Sequence, residues 1–218
     1  EYAAMRDQRA SLPANNARES FVSLAGDATR DCHRDRVVVC GETGSGKTTQ
    51  LPHYLLDAAL CAGGERAARI RIVVTQPRRV AATSVATRVA QECGEDEIGG
   101  LVGYHIRHER RCSSRTKILF CTAGVLLRCL RGATSTHSDG DDGADFVRKA
   151  THIVLDEIHE RAADSDLLLA ALRRTVAAQH RREKARKLSL VLMSATLDAQ
   201  LFQKYLDAAL RGSEKAQT

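Results

Sequence analysis

No stretch of the sequence approaches the ~20 consecutive apolar residues that a membrane-spanning helix needs, so no membrane partner is expected. The opening residues, EYAAMRDQRA, lack the charged-then-apolar order of a secretory leader. Residue 1 is Glu rather than Met, and the sequence is expected to be part of something longer. Seven cysteines, at 32, 40, 61, 93, 112, 121 and 129, form no CxxC pair and no Cys/His spacing of the zinc type. Cys40 and Cys121 fall in apolar runs, where a small buried thiol is expected. The setting implied is intracellular and reducing, with cytoplasm, nucleus and organelle not distinguished. No internal repeat is present.

What is present fits one α/β unit. A chain of 218 residues can bury a substantial core, and 43% hydrophobic with 28% charged residues is ordinary for a globular protein. The expected organisation is one domain over 1–218, with 1–17 a lead-in and 132–145 an exposed loop, because GATSTHSDGDDG cannot supply a packed face. The net charge of +6 and a pI near 9.1 lean toward an anionic partner, nucleic acid first. Charge alone weighs no more for that than for a basic surface without a partner. The basic run HRREKARK at 180–187 reads as a solvated helix end and turn in preference to an RNA contact.

Apolar runs at Val37–Cys40, Ile70–Thr75, Lys117–Cys121, His152–Asp156 and Leu188–Met193 alternate with helix-patterned segments. That alternation predicts a mostly parallel sheet with helices on both faces. Ligands of such sheets sit beyond the carboxyl ends of the strands, and GETGSGKT, TQPRR, CTAG, DEIHER and MSAT each follow a run. In the first of these, Gly41, Gly44 and Gly46 permit a turn whose backbone N–H groups converge on a phosphate. The strand before it and a helix predicted over Thr49–Leu60 supply the context of a nucleotide-binding phosphate loop. Glu42, Thr43, Ser45 and Thr49 complete it. Lys47 would reach the β- and γ-phosphates, and the Thr48 hydroxyl would ligate Mg²⁺.

Taken in order, GETGSGKTTQ, TQPRR, GYHIR, TAGVLLR, DEIHER and MSAT resemble the DEAH/RNA-helicase-A group of superfamily 2 ATP-dependent RNA helicases, over about Ser11 to Leu206. The resemblance implies a RecA-like P-loop NTPase lobe that binds ATP, with other NTPs possible, and Mg²⁺. It further implies single-stranded RNA as partner and a second RecA-like lobe elsewhere; protein partners are not indicated. Lys47, Asp156, Glu157 and His159 are the implied catalytic residues. The metal side falls to Thr48, Asp156 and Glu157, with Glu157 activating the attacking water. Arg78, Arg79, Arg107, Thr122 and Gly124 would track the RNA backbone. Ser194, Ala195 and Thr196 would couple the nucleotide to movement, with His159 linking the two. Arg88 would stack on the base, and since no adenine-reading Gln is evident upstream of Gly41, little discrimination among nucleotides is expected. Two positions depart from the family pattern: Ile158 replaces the usual Ala beside unchanged Asp156, Glu157 and His159, and His108 stands where many relatives carry an aromatic residue. A metabolite kinase or transporter-type ATPase would share the phosphate loop but has no use for TQPRR and TAGVLLR. A silent RNA-binding scaffold would not need Lys47, Thr48, Asp156 and Glu157 intact.

Overall fold

The apolar runs become strands in the computed structural model, which describes residues 7–25, 36–132, 142–180, 188–195, 202 and 204–206. The strands are β1 (Arg36–Cys40), β2 (Ile72–Gln76), β3 (Val102–Ile106), β4 (Glu109–Arg111), β5 (Ile118–Thr122), β6 (His152–Leu155) and β7 (Ser189–Ser194). They form a seven-stranded sheet in the order β1-β7-β6-β2-β5-β3-β4. Every pairing is parallel except the β3–β4 hairpin.

Side chains alternate between the two faces, as the pleat requires. Ile72 and Val74 face one layer with Val154, Val191 and Met193. That layer is built by α1 (Arg18–Ala25), α2 (Lys47–Ala62) and α4 (Arg79–Glu92), through residues such as Phe21, Leu51, Leu55, Ala86 and Val89. The short α3 (Gly64–Arg69) follows α2. Val73, Ile153, Leu155, Leu190 and Leu192 face the opposite layer, where α5 (Ala123–Gly132), α6 (Asp142–Arg148) and α7 (Ala163–His180) supply Leu126, Phe146, Leu168 and Leu172. Both faces are covered, which is why the central strands read as unbroken apolar runs. This is the RecA-like α/β fold, with a mostly parallel sheet and helices on both sides.

Four expectations change. The segment GYHIR is itself a strand: Gly103 and His105 interrupt its apolar pattern, and Gly103 is required because a side chain there would run into the Arg111 carbonyl of the hairpin. Cys40 is exposed rather than buried, since it ends the edge strand β1 beside the phosphate loop. The phosphate-loop helix starts at Lys47, ahead of the predicted Thr49. The expected loop over 132–145 is shorter, because Phe146 and Val147 pack into the core and draw a helix back to Asp142; residues 133–141 lie outside the described residues. So do 181–187 of the basic run and Thr196.

Candidate nucleotide site and nucleic-acid groove

Strand order turns the motif series into a line of chemistry along one edge of the sheet. From β1 inward, the carboxyl ends carry the phosphate loop, Ser194, Asp156 and Gln76, and continue to Thr122 and Arg107 on β5 and β3. Acid and phosphate-loop groups collect at one end. Basic groups collect at the other, and β2 lies between them.

At the loop, Gly44 and Gly46 have φ of 79° and 89°, values open to glycine and strained for other residues. The lead-in closes over this turn: a Cβ on Gly46 would lie 2.9 Å from Leu12 Cδ1, and Ala14 N donates to Ser45 O at 3.0 Å. A cavity of about 430 Å³ beside the loop is lined by Pro13 and Ala14 together with Gly41, Glu42, Thr43, Gly44, Ser45 and Lys47. Lys47 Nζ donates to the carbonyls of Gly41 and Glu42 and to Ser45 Oγ. Thr49 turns back into the helix start, its hydroxyl donating to Gly46 O at 3.2 Å.

Asp156 sits behind the loop, buried. One oxygen, Oδ2, accepts from Thr48 Oγ1 at 2.5 Å and from Gln76 Nε2 at 2.7 Å, while Oδ1 accepts from the Glu157 backbone N–H at 2.8 Å. Burial raises its pKa above the ordinary carboxylate value, against the pull of those three donors. Burial also raises Glu157, helped by the negative charge of Asp156. Glu157 adopts φ 51° and its Oε2 lies 3.2 Å from His159 Nδ1. That same nitrogen accepts from Ala195 N at 3.3 Å, and Ser194 O accepts from Gly41 N at 3.2 Å. Both Ser194 and Ala195 are therefore bonded into the site. Arg161, at φ 52°, clamps Asp166 with two parallel bonds, Nε to Oδ1 at 3.1 Å and Nη2 to Oδ2 at 3.0 Å.

Beyond Gln76 a groove of about 720 Å³ brings together Arg79, Arg107, Thr122 and Gly124, with Arg128 and Asp164 added. Arg78 is not among its lining residues; it is exposed, with Nη2 3.8 Å from Glu160 Oε1. His108 is the turn residue after β3 at φ 66°, and its Nε2 accepts from Arg107 Nε at 3.0 Å.

The sequence profile of the DEAD/DEAH box helicases matches residues 25–203. The chain belongs to that family. It is similar to the ATP-dependent RNA helicase DHX29 of Mus musculus, 43% identical over 94% of this chain and 14% of that protein. The DExH-box ATP-dependent RNA helicase DExH3 of Arabidopsis thaliana is 46% identical over 79% of this chain and 13% of its own length. DExH4 of the same plant, a chloroplastic DExH-box ATP-dependent RNA helicase, is 38% identical over 94% and 13%. The chain thus spans a small part, 12% to 14%, of such relatives.

Two features of this DEAD/DEAH box helicase chain escaped the sequence reading. Gln76 was visible inside TQPRR as a polar residue ending an apolar strand, yet only its tertiary neighbour Asp156 reveals its use. The second is a buried carboxylate, Glu92, that joins three elements. Its Oε1 accepts from Arg88 Nε at 2.8 Å, and its Oε2 accepts from Gln50 Nε2 at 2.9 Å and lies 3.4 Å from His53 Nε2 and 3.5 Å from Arg9 Nε. Arg88 Nη2 in turn donates to Gln8 Oε1 at 3.2 Å. Arg88, expected against the base, is accordingly fixed by α4 on one side and the lead-in on the other, and it does not line the cavity beside the loop.

Proposed function

We propose that the whole chain, 1–218, is the ATP-binding lobe of an ATP-dependent RNA helicase, gripping single-stranded RNA in the arginine-lined groove and coupling hydrolysis to movement with a second RecA-like lobe. The observation that carries this reading is the shared edge: β2 ends in Gln76, which bonds Asp156, and Pro77 and Arg79, one and three residues on, line the groove. A metabolite kinase has no need of a basic groove further along the same sheet edge, beyond the two strands that separate β2 from the phosphate-loop strand.

The donor set suits Mg²⁺. Thr48 and Asp156 offer hard oxygens, and among the described residues there is no cluster of three or more His, Cys, Asp or Glu that could cage a metal, so the ion would complete its shell with phosphate oxygens and water. Asp156, buried with a raised pKa, is a carboxylate that a cation would stabilise. When bound, the ion neutralises charge developing on the transferred phosphoryl group. Lys47 would exchange its carbonyl acceptors for phosphate oxygens, and Gln76 would hold the Asp156 carboxylate in place. Glu157 would orient the attacking water and accept its proton, the raised pKa making it the better base. His159, bonded to Ala195, would carry the change toward the second lobe. Among the described residues no helix is long and apolar enough to cross a membrane. Among the described residues no cysteine is disulfide-bonded, which suits a reducing compartment.

The test is titration of this chain with a fluorescent triphosphate analogue, with and without Mg²⁺, and with a single-stranded RNA. Magnesium-dependent binding, together with RNA binding lost in an Arg79→Ala/Arg107→Ala double variant, is expected. Nucleotide binding with no RNA binding would remove the assignment of the groove to RNA.

A further inference from the structure

Asp164 is an acid in a basic groove. Among the described lining residues it is the only carboxylate, set with Arg79, Arg107 and Arg128. Its neighbour in sequence, Asp166, is bound by Arg161, whereas among the described residues Asp164 has neither an ion-pair nor a hydrogen-bond partner. The side chain is exposed, and it comes close enough to the TAG segment that a Cβ on Gly124 would lie 2.9 Å from Asp164 Oδ2. The carboxylate thus reaches the segment expected to carry the nucleic-acid backbone.

A carboxylate there is unfavourable for a track that binds only phosphates, because like charges at close range repel. It can be favourable where a donor falls between two phosphates. Along a nucleic-acid backbone that donor is the ribose 2′-hydroxyl, which DNA lacks. We propose that Asp164 accepts a hydrogen bond from a ribose 2′-hydroxyl in this groove and thereby selects RNA over DNA. The proposal rests on the groove being the RNA site. The competing account is that Asp164, in the first turn of α7, merely complements the helix dipole.

The experiment compares binding of this chain to ten-nucleotide uridine and deoxyuridine strands at one fixed salt concentration, by fluorescence anisotropy. Wild type should favour the ribose strand by about tenfold, the scale of one hydrogen bond to a charged group. In Asp164→Ala the ratio should fall to about one, in part because the deoxyribose strand binds more tightly once the repulsion is gone. Asp164→Asn, which keeps size and an acceptor, should retain part of the preference; it also serves if the alanine variant does not fold. An unchanged ratio in both variants, with at most a lowered melting temperature, would overturn the proposal in favour of the helix-dipole role. If the Arg79→Ala/Arg107→Ala double variant binds both strands as wild type does, the groove assignment itself falls and takes this proposal with it. Loss of binding in that double variant, combined with an unchanged ratio on Asp164→Ala, would sink the proposal alone.

Discussion

Lys47 places its ammonium against two backbone carbonyls and a hydroxyl, so it is already oriented toward the loop interior. Lys47→Ala should weaken a triphosphate analogue by at least ~1.5 kcal/mol, the scale of one charge-assisted bond, and equal affinity by calorimetric titration would remove the phosphate-loop assignment. Glu157 carries a pH signature. Its pKa is raised, so turnover of a polypeptide holding both lobes should fall as pH drops through a midpoint above the ordinary 4.5, and Glu157→Gln should abolish turnover at every pH. An acid limb at or below the ordinary value would point to a different base. Residues of this kind were legible because their spacing is local: eight positions from Gly41 to Thr48 define the loop whatever the rest of the chain does. Gln76 and Asp164 were not. Each acquires meaning from a partner 80 and 40 positions away, Asp156 and Gly124, and a single sequence does not display such pairings.

At the level of elements, Glu92 ties α2, α4 and the lead-in into one unit. Burial pushes its pKa up, but the His53 ring 3.4 Å away and the hydrogen bonds from Gln50 and Arg88 together outweigh that and hold it at about 2 against an ordinary 4.5. A carboxyl with a depressed folded pKa stabilises above its unfolded value and loses that stabilisation as pH falls toward the folded one. Wild type should therefore lose about 3 kcal/mol from this group between pH 4.5 and about 2. In Glu92→Gln that acid slope should be shallower by one proton in urea unfolding, and identical slopes would mean the network is already neutral. The start of α4 and the residue after β3 supply two of the three groove arginines, Arg79 and Arg107. Arg79→Ala and Arg107→Ala should each flatten the salt dependence of single-strand binding by roughly 0.7. Arg78→Ala should change it less, since Arg78 lies outside the groove lining. Five strands were readable as apolar runs because two covered faces leave no polar alternation. The β3–β4 hairpin was not, as its glycine, histidine and charged residues belong to an edge exposed to solvent on β4.

For the molecule as a whole, the expected outcome is binding without work. Hydrolysis in this family is expected to need arginines delivered from a second lobe, a contact worth about 10³ to 10⁵ in rate in phosphoryl transfer generally. These 218 residues should bind nucleotide and, weakly, RNA, yet show no ATP-dependent strand displacement, which should return when a second lobe is joined in one polypeptide. Unwinding by the purified monomeric chain, lost on Glu157→Gln, would refute this. The fold class was legible at this scale, whereas the neighbourhood of the two sites emerged only from strand order. The backbone at Glu157 adds a consequence for how such a chain evolves. A φ of 51° costs a residue with a side chain about 1 to 2 kcal/mol and costs glycine little, and burial beside Asp156 opposes the charge as well. A library randomised at position 157 and sorted for thermal survival should enrich glycine. The same library carried in a polypeptide holding both lobes and sorted for turnover should return glutamate alone, so the two selections pull this position in opposite directions.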